Sequence, residues 1–162
     1  MTTDTAPVRY IERTRAYYRA LGYAKDYVWA SYGDAPFAPL PRPIAGCRVG
    51  LVTTASAGDP AAHGPGHVRQ VWSGAVTPPP PELFTANLAW DKESTHTRDR
   101  ESYLPIETVS ALVSEGRVGS LAAHFHGVPT EYSQRKTLED DAPQVLRRLR
   151  DDGADAAILC PL

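Results

Sequence analysis

LEDDAPQVLRRLRDDGADAAILCPL, residues 138–162, reads as a helix, a short turn and a buried strand. Glu139, Asp140 and Asp141 stand at the N-terminal end of the helical stretch and Arg147, Arg148 and Arg150 at its C-terminal end. That order complements the helix dipole. Gly153 closes the helix, and ADAAILCPL follows as an apolar strand. A helix feeding a buried strand implies an α/β fold with a parallel or mixed sheet.

Working back along the chain, Ile106, Val109, Leu112 and Val113 fall on one helical face of IETVSALVSEG, with Pro105 suited to N1 and Gly116 to the stop. CRVGLVTT, residues 47–54, is short and β-rich and runs into ASAGDP, so it is expected to form the first core strand. HVRQVWSGAVT and ELFTANLAW both look strand-like and flank the extended spacer Pro78–Pro81. Val8, Ile11, Tyr18 and Leu21 share a face of a helix over 8–21 that Gly22 ends, and the prolines of 35–43 make an extended lead-in. The expected architecture is a single three-layer-like α/β domain over 1–162. It has a helix and Pro-rich lead-in over 1–46, a core over 47–162, and a sheet incomplete at its C-terminal edge.

Composition limits the function classes. Lys plus Arg number 17 against 19 Asp plus Glu, a net charge of −2 with no basic stripe, so no nucleic-acid partner is expected. Fifteen prolines in 162 residues, against average usage of about 5%, mean that much of the chain is loop. No apolar run approaches the ~18–20 residues that span a membrane, and the N-terminus carries no secretory signal pattern. Two cysteines are too few for a disulfide scaffold, and the expected compartment is the reducing cytoplasm.

The five histidines, His63, His67, His96, His124 and His126, lie mostly in segments read as loops. His96 with Asp99, or His124 and His126 on one side of an extended HFH, could bind zinc or act as a general acid/base pair. The spacing matches no strong zinc signature, they also read as ordinary loop histidines, and no metal is assigned. Thr53 and Thr54, just past the first strand, are candidate donors to a carboxylate or oxyanion. GxxxxGK[ST], GxGxxG and GxSxG are all absent, which disfavours nucleotide binding and α/β-type serine hydrolysis. Cys47 reads as a buried small hydrophobe. Cys160 would lie at the C-terminal edge of the last strand, where α/β folds present reactive groups.

RDRESYLPIETVSALVSEGRVGSLAAHFHGVPT, residues 98–130, with 138–162 and the earlier GLVTTAS, resembles the selenoprotein B component of glycine, sarcosine and betaine reductases and its D-proline reductase relatives. Asp99–Pro105 fills a D-x-N/S-x-x-x-P element, although Glu101-Ser102 departs from the D-x-N pattern. Gly116–Leu121 fills G-x-I-G-x-L/A, and Ala142–Pro161 fills the A-P…D-G-x-D-A-x-x-L-x-P ending. The resemblance runs from about Val49 to Leu162.

It implies a cytoplasmic reductase of small amino acids or related amines, in which a selenolate or thiolate attacks the substrate and is regenerated by thiol exchange. Its partners would be reductase subunits or a thiol electron donor, with no further cofactor. The reactive selenocysteine or cysteine of such proteins belongs directly after Leu162, as if an in-frame UGA had been read as a stop. A split enzyme and a short chain with another role are the alternatives. The expected catalytic set is Cys160, His96 and Asp99, with Thr53, Thr54, Ser102 and Arg135 on the substrate. Competing readings are a metal-assisted hydrolase or lyase using His96, Asp99 and His124 or His126, and a non-catalytic interaction subunit or homo-oligomer docking through an exposed last strand.

Overall fold

A computed structural model of the chain describes residues 9–26, 28–35, 38–64, 69–88, 93–130 and 133–162. The chain divides into two units, Met1–Phe37 and Ala38–Leu162. In the first, α1 (Tyr10–Ala20) ends where Gly22 takes a φ of +88°, the left-handed conformation that glycine adopts without a Cβ penalty. No residue of α1 is buried. Arg19 pairs with Asp26 at 2.5 Å, and the Arg15 guanidinium stacks 5.4 Å from the centre of the Trp29 ring.

The second unit holds the sheet. Strands β1 (Arg48–Thr53), β2 (Trp72–Ala75), β3 (Ser120–Gly127) and β4 (Ala156–Cys160) lie in the order β2-β3-β1-β4. β1 is parallel to both β3 and β4, and β2 is antiparallel to β3, so the sheet is mixed and the protein is of the α/β class. The apolar run of β1 fits its central place, where side chains meet cover on both faces. Leu51 packs on one face with Phe125, Leu104, Ile106 and Val109, bringing in helix α2 (Ile106–Ser114). Val52 packs on the other with Val71 and Val145, bringing in helix α4 (Ala142–Asp151). The second unit therefore has a helix on each side of its sheet.

Local chemistry sets the helix ends. Pro105 stands at the N-cap of α2, one position before the expected N1, and has no side chain that can cap. Glu101 supplies the cap: its carboxylate accepts from the Thr108 N–H and hydroxyl, each at 2.8 Å, and from the Glu107 N–H at 3.2 Å. Gly116 then stops the helix at φ +71°. The C-terminal helix starts earlier than the sequence pattern implies. Ser133 caps a short α3 (Gln134–Lys136), and a π-helical turn (Thr137–Asp141) leads into α4. That wide turn ends two residues before Pro143, which has no N–H to offer the carbonyl four residues back.

Two further expectations differ from the structure. Residues 82–88 of ELFTANLAW form no strand but a single bridge, Ser56 to Phe84, because the polyproline spacer and a turn at Thr85–Leu88 leave no room for a ladder; Ala89 and Trp90 lie outside the described residues. β3, for which the sequence offered only a conditional extended HFH, is a full core strand. At the sheet's edge, β4 leaves Ile158 and Leu159 exposed. Among the described residues, no helix is long and apolar enough to cross a membrane.

Candidate functional site

From β1 the chain runs through the 60–63 turn to β2, then through α2 on one face of the sheet to β3, and α4 links β3 to β4 on the other face. The loops that leave the C-terminal ends of the neighbouring parallel strands β1 and β3 therefore lie at the same end of the sheet, the end at which open α/β sheets usually bind their ligands. A cavity of about 590 Å³ lies there. Ser56 and His63 reach it from the loop after β1, Arg69 and Trp72 from the approach to antiparallel β2, and Val128 and Thr130 from the loop after β3. The size suits a small organic ligand.

The elements hold these groups in place. Asp59 caps the 60–63 turn by accepting from the Ala61 N–H at 2.9 Å, which sets His63 at the turn's end. Arg69 Nη1 donates to the Thr130 carbonyl at 3.5 Å, and Lys136 Nζ from α3 donates to the Arg69 carbonyl at 3.1 Å. Trp72 stands edge-on to Phe125, with ring centres 5.4 Å apart and planes at 86°. Among the described lining residues there is a guanidinium, an imidazole and two hydroxyls, and no carboxylate. That polarity favours an anionic group on the ligand.

The sequence-derived candidates fall in three places. Thr53 and Cys160 are register partners at the ends of β1 and β4, and the Thr54 hydroxyl accepts from the Leu162 N–H at 2.8 Å. Thr53 is buried and its hydroxyl accepts from the Ala55 N–H at 3.3 Å. A second group lies on the loop before α2, where His96 is exposed. There Asp99 caps the 100–102 turn through the Glu101 N–H at 3.0 Å, and the Ser102 hydroxyl donates to the Asp99 carbonyl at 2.7 Å. Arg135 stands apart on α3, solvent-exposed and paired with Glu139 at 2.8 Å. His67 lies outside the described residues. Among those described, no three His, Cys, Asp or Glu side chains are arranged to hold a metal ion.

Both cysteines are free thiols. Cys47 is buried just before β1, with its thiol 3.3 Å from the Arg42 carbonyl, and Cys160 ends β4, so parallel pairing sets them at opposite ends of the sheet. Burial pushes the Cys160 thiol up from its ordinary value. A protonated thiol is a poor nucleophile. Iodoacetamide at about pH 7 is expected to label Cys160 at least about tenfold more slowly than free cysteine, the rate climbing in alkali, because free cysteine is a few per cent thiolate there. Mass-spectrometric labelling kinetics check this, and labelling as fast as free cysteine would contradict it.

β3 presents a second polar cluster that sequence reasoning only half anticipated. His124 and His126 do share one side of the strand, but the partner that joins them is Asp152, at the C-cap of α4. His124 Nδ1 is 2.9 Å from Asp152 Oδ1, and His126 Nε2 is 3.6 Å from Asp152 Oδ2. His126 is 2% exposed. Its Nδ1 meets the Ser73 hydroxyl at 2.9 Å. Burial above all lowers its proton affinity; Arg148 and His124 lower it further, and Asp152 opposes them. Compared with known proteins, the chain matches no family, no curated sequence and no solved structure.

Proposed function

We propose that the chain forms the substrate-binding core of a selenocysteine- or thiol-dependent reductase of small amino acids or related amines. The observation that carries this reading is the cavity between the ends of β1 and β3, lined by Arg69, His63 and two hydroxyls with no carboxylate among the described residues. A small amino acid offers a carboxylate for Arg69 and an alkyl or amine end for the Trp72 and Val128 side.

The chemistry comes from the resemblance. A selenolate or thiolate placed directly after the strand corresponding to β4 displaces the substrate amine, so that a bond from selenium or sulfur to carbon forms as the carbon–nitrogen bond breaks. A dithiol then supplies two electrons and two protons: the selenium– or sulfur–carbon bond breaks, the carbon leaves as the deaminated product with a new C–H bond, the nucleophile is restored and the dithiol becomes a disulfide. That position adjoins Leu162, whose N–H is held by Thr54 beside the loop that lines the cavity. Cys160, with its thiol raised by burial, is the weaker candidate nucleophile. A thiol-driven cycle suits a reducing, cytoplasmic setting.

Titration calorimetry with glycine, sarcosine, betaine and D-proline tests the reading. At least one is expected to bind, and Arg69→Ala is expected to weaken that binding by about tenfold, the loss of one charge-assisted contact. No binding of any of the four, or an Arg69→Ala variant that binds as the native chain does, would overturn it.

A further inference from the structure

One wall of the cavity, residues 69–72, and the adjoining Ser73 are gripped from α3 and α4. Lys136 holds the Arg69 carbonyl at 3.1 Å, and Arg148 holds the Val71 carbonyl at 3.0 Å and the Ser73 hydroxyl at 2.7 Å. Because Ser73 already accepts from Arg148, its own proton is available to His126 Nδ1, which accepts only if that nitrogen is unprotonated. The ring proton then sits on Nε2, facing Asp152 Oδ2. At 3.6 Å the two do not hydrogen-bond, and both atoms are buried without a partner.

A second proton on His126 disrupts this order. Nδ1 becomes a donor, so two cations, His126 and Arg148, converge on one hydroxyl, and the hydroxyl's proton loses its acceptor. Asp152, meanwhile, offers the imidazolium an unfilled buried oxygen. We propose that Ser73, His126 and Asp152 form a proton-operated latch: while His126 is neutral, Arg148 holds the cavity wall closed against α4, and when His126 is protonated it turns from Ser73 to Asp152 and the wall is released. The charged and titratable groups facing His126 are Asp152 and Arg148 from α4 and His124 from its own strand, while Arg48 of β1 donates to the Asp152 carbonyl at 2.9 Å. The latch gives the proposed substrate site a pH dependence, and so rests on that reading for its purpose.

The direction of the effect follows from burial. The folded chain binds the His126 proton less tightly than the unfolded chain does. The group's contribution to stability is therefore complete above the unfolded value of about 6.5 and is lost as pH falls through that value towards the lower folded one.

Hydrogen exchange of residues 1–162, read by mass spectrometry and corrected for intrinsic rates, tests the latch without any ligand, so its outcome is independent of the reductase reading. From about pH 7.5 to about 5.5, exchange across 71–74 is expected to rise about tenfold while α2 stays protected. His126→Gln, which can accept from Ser73 and donate to Asp152 at either pH, is expected to abolish the rise, and His124→Gln to keep it. Ser73→Ala is expected to exchange at the acid rate even at neutral pH, which tests the latch if His126→Gln does not fold. Ring titration by NMR is expected to place His126 protonation in step with the rise. A pH-independent wall, a rise that disappears with His124→Gln, loosening of α2 together with the wall, a Ser73→Ala wall protected as in the native chain, or a His126 that stays neutral while the wall opens would each overturn the proposal.

Discussion

Phe125→Ala is expected to destabilise the protein by about 3–5 kcal/mol, the range for truncating a buried phenylalanine. Phe125 is 1% exposed at the centre of the cluster formed by Leu51, Tyr103, Leu104, Ile106 and Val109, and its ring fills the space above Gly74. Removing the ring empties the layer between α2 and the sheet. Neither neighbour can collapse into the space, because Leu51 lies on the central strand and Ile106 is fixed by the Glu101 cap at the start of α2. Trp72 also loses its edge-on partner, a contact worth about 0.5–1.5 kcal/mol beyond area. At about 2–4 °C per kcal/mol for a chain of this size, Tm should fall by about 10 °C. Phe125→Leu keeps most of the volume and should lose less than half as much. Thermal or urea denaturation decides: a loss under about 1 kcal/mol for the alanine variant would mean that the ring does not sit in the core, since exposed positions fall in that range.

The same core shows why parts of the fold could be read from the chain and parts could not. α2 was legible because Ile106, Val109, Leu112 and Val113 keep helical spacing between a proline and a glycine. β1 and β4 were legible as short apolar runs with turn residues beside them. β3 was hidden because its pairing with β1 is irregular. Val49 meets Leu121 and Leu51 meets Phe125, so β3 uses twice as many residues as β1 over that stretch, and the two-residue alternation breaks. Two histidines in the strand further disguise it.

The candidate site divides in the same way. Thr53, Thr54 and Cys160 could be placed at strand ends because those strands were visible. Arg69, Trp72 and Thr130 could not, since they come from segments that only the strand order brings together. Asp99 and Ser102 carried the right chemical groups, but a short side chain just before a turn bonds first to its own backbone, and here both do. Asp152 gave no local signal towards His124 or His126. It meets them only because α4 crosses back over β3.

Gly127→Ala is expected to destabilise by about 3 kcal/mol, the upper end of the usual overpacking range, and to abolish binding in the cavity. Gly127 closes β3, paired with Thr53 of β1 on one side and Trp72 of β2 on the other. Its φ is not positive, so backbone freedom is not what the position requires. Space is: a Cβ here would fall within the Trp72 indole. The indole has nowhere to retreat, with Phe125 against it on one side and the cavity on the other, so it must swing into the volume a ligand needs. Stability and binding should then fail together through one side chain. Pairing Gly127→Ala with Trp72→Leu separates this account from a general intolerance of the strand. The smaller residue makes room for the methyl group, so the two changes should be non-additive, with a coupling of about 1–2 kcal/mol in favour of the double variant, as for residues in direct contact. Additive losses in a double-mutant denaturation cycle would show that the glycine is required for some reason other than the indole, and the cavity wall would then have to be redrawn without Trp72.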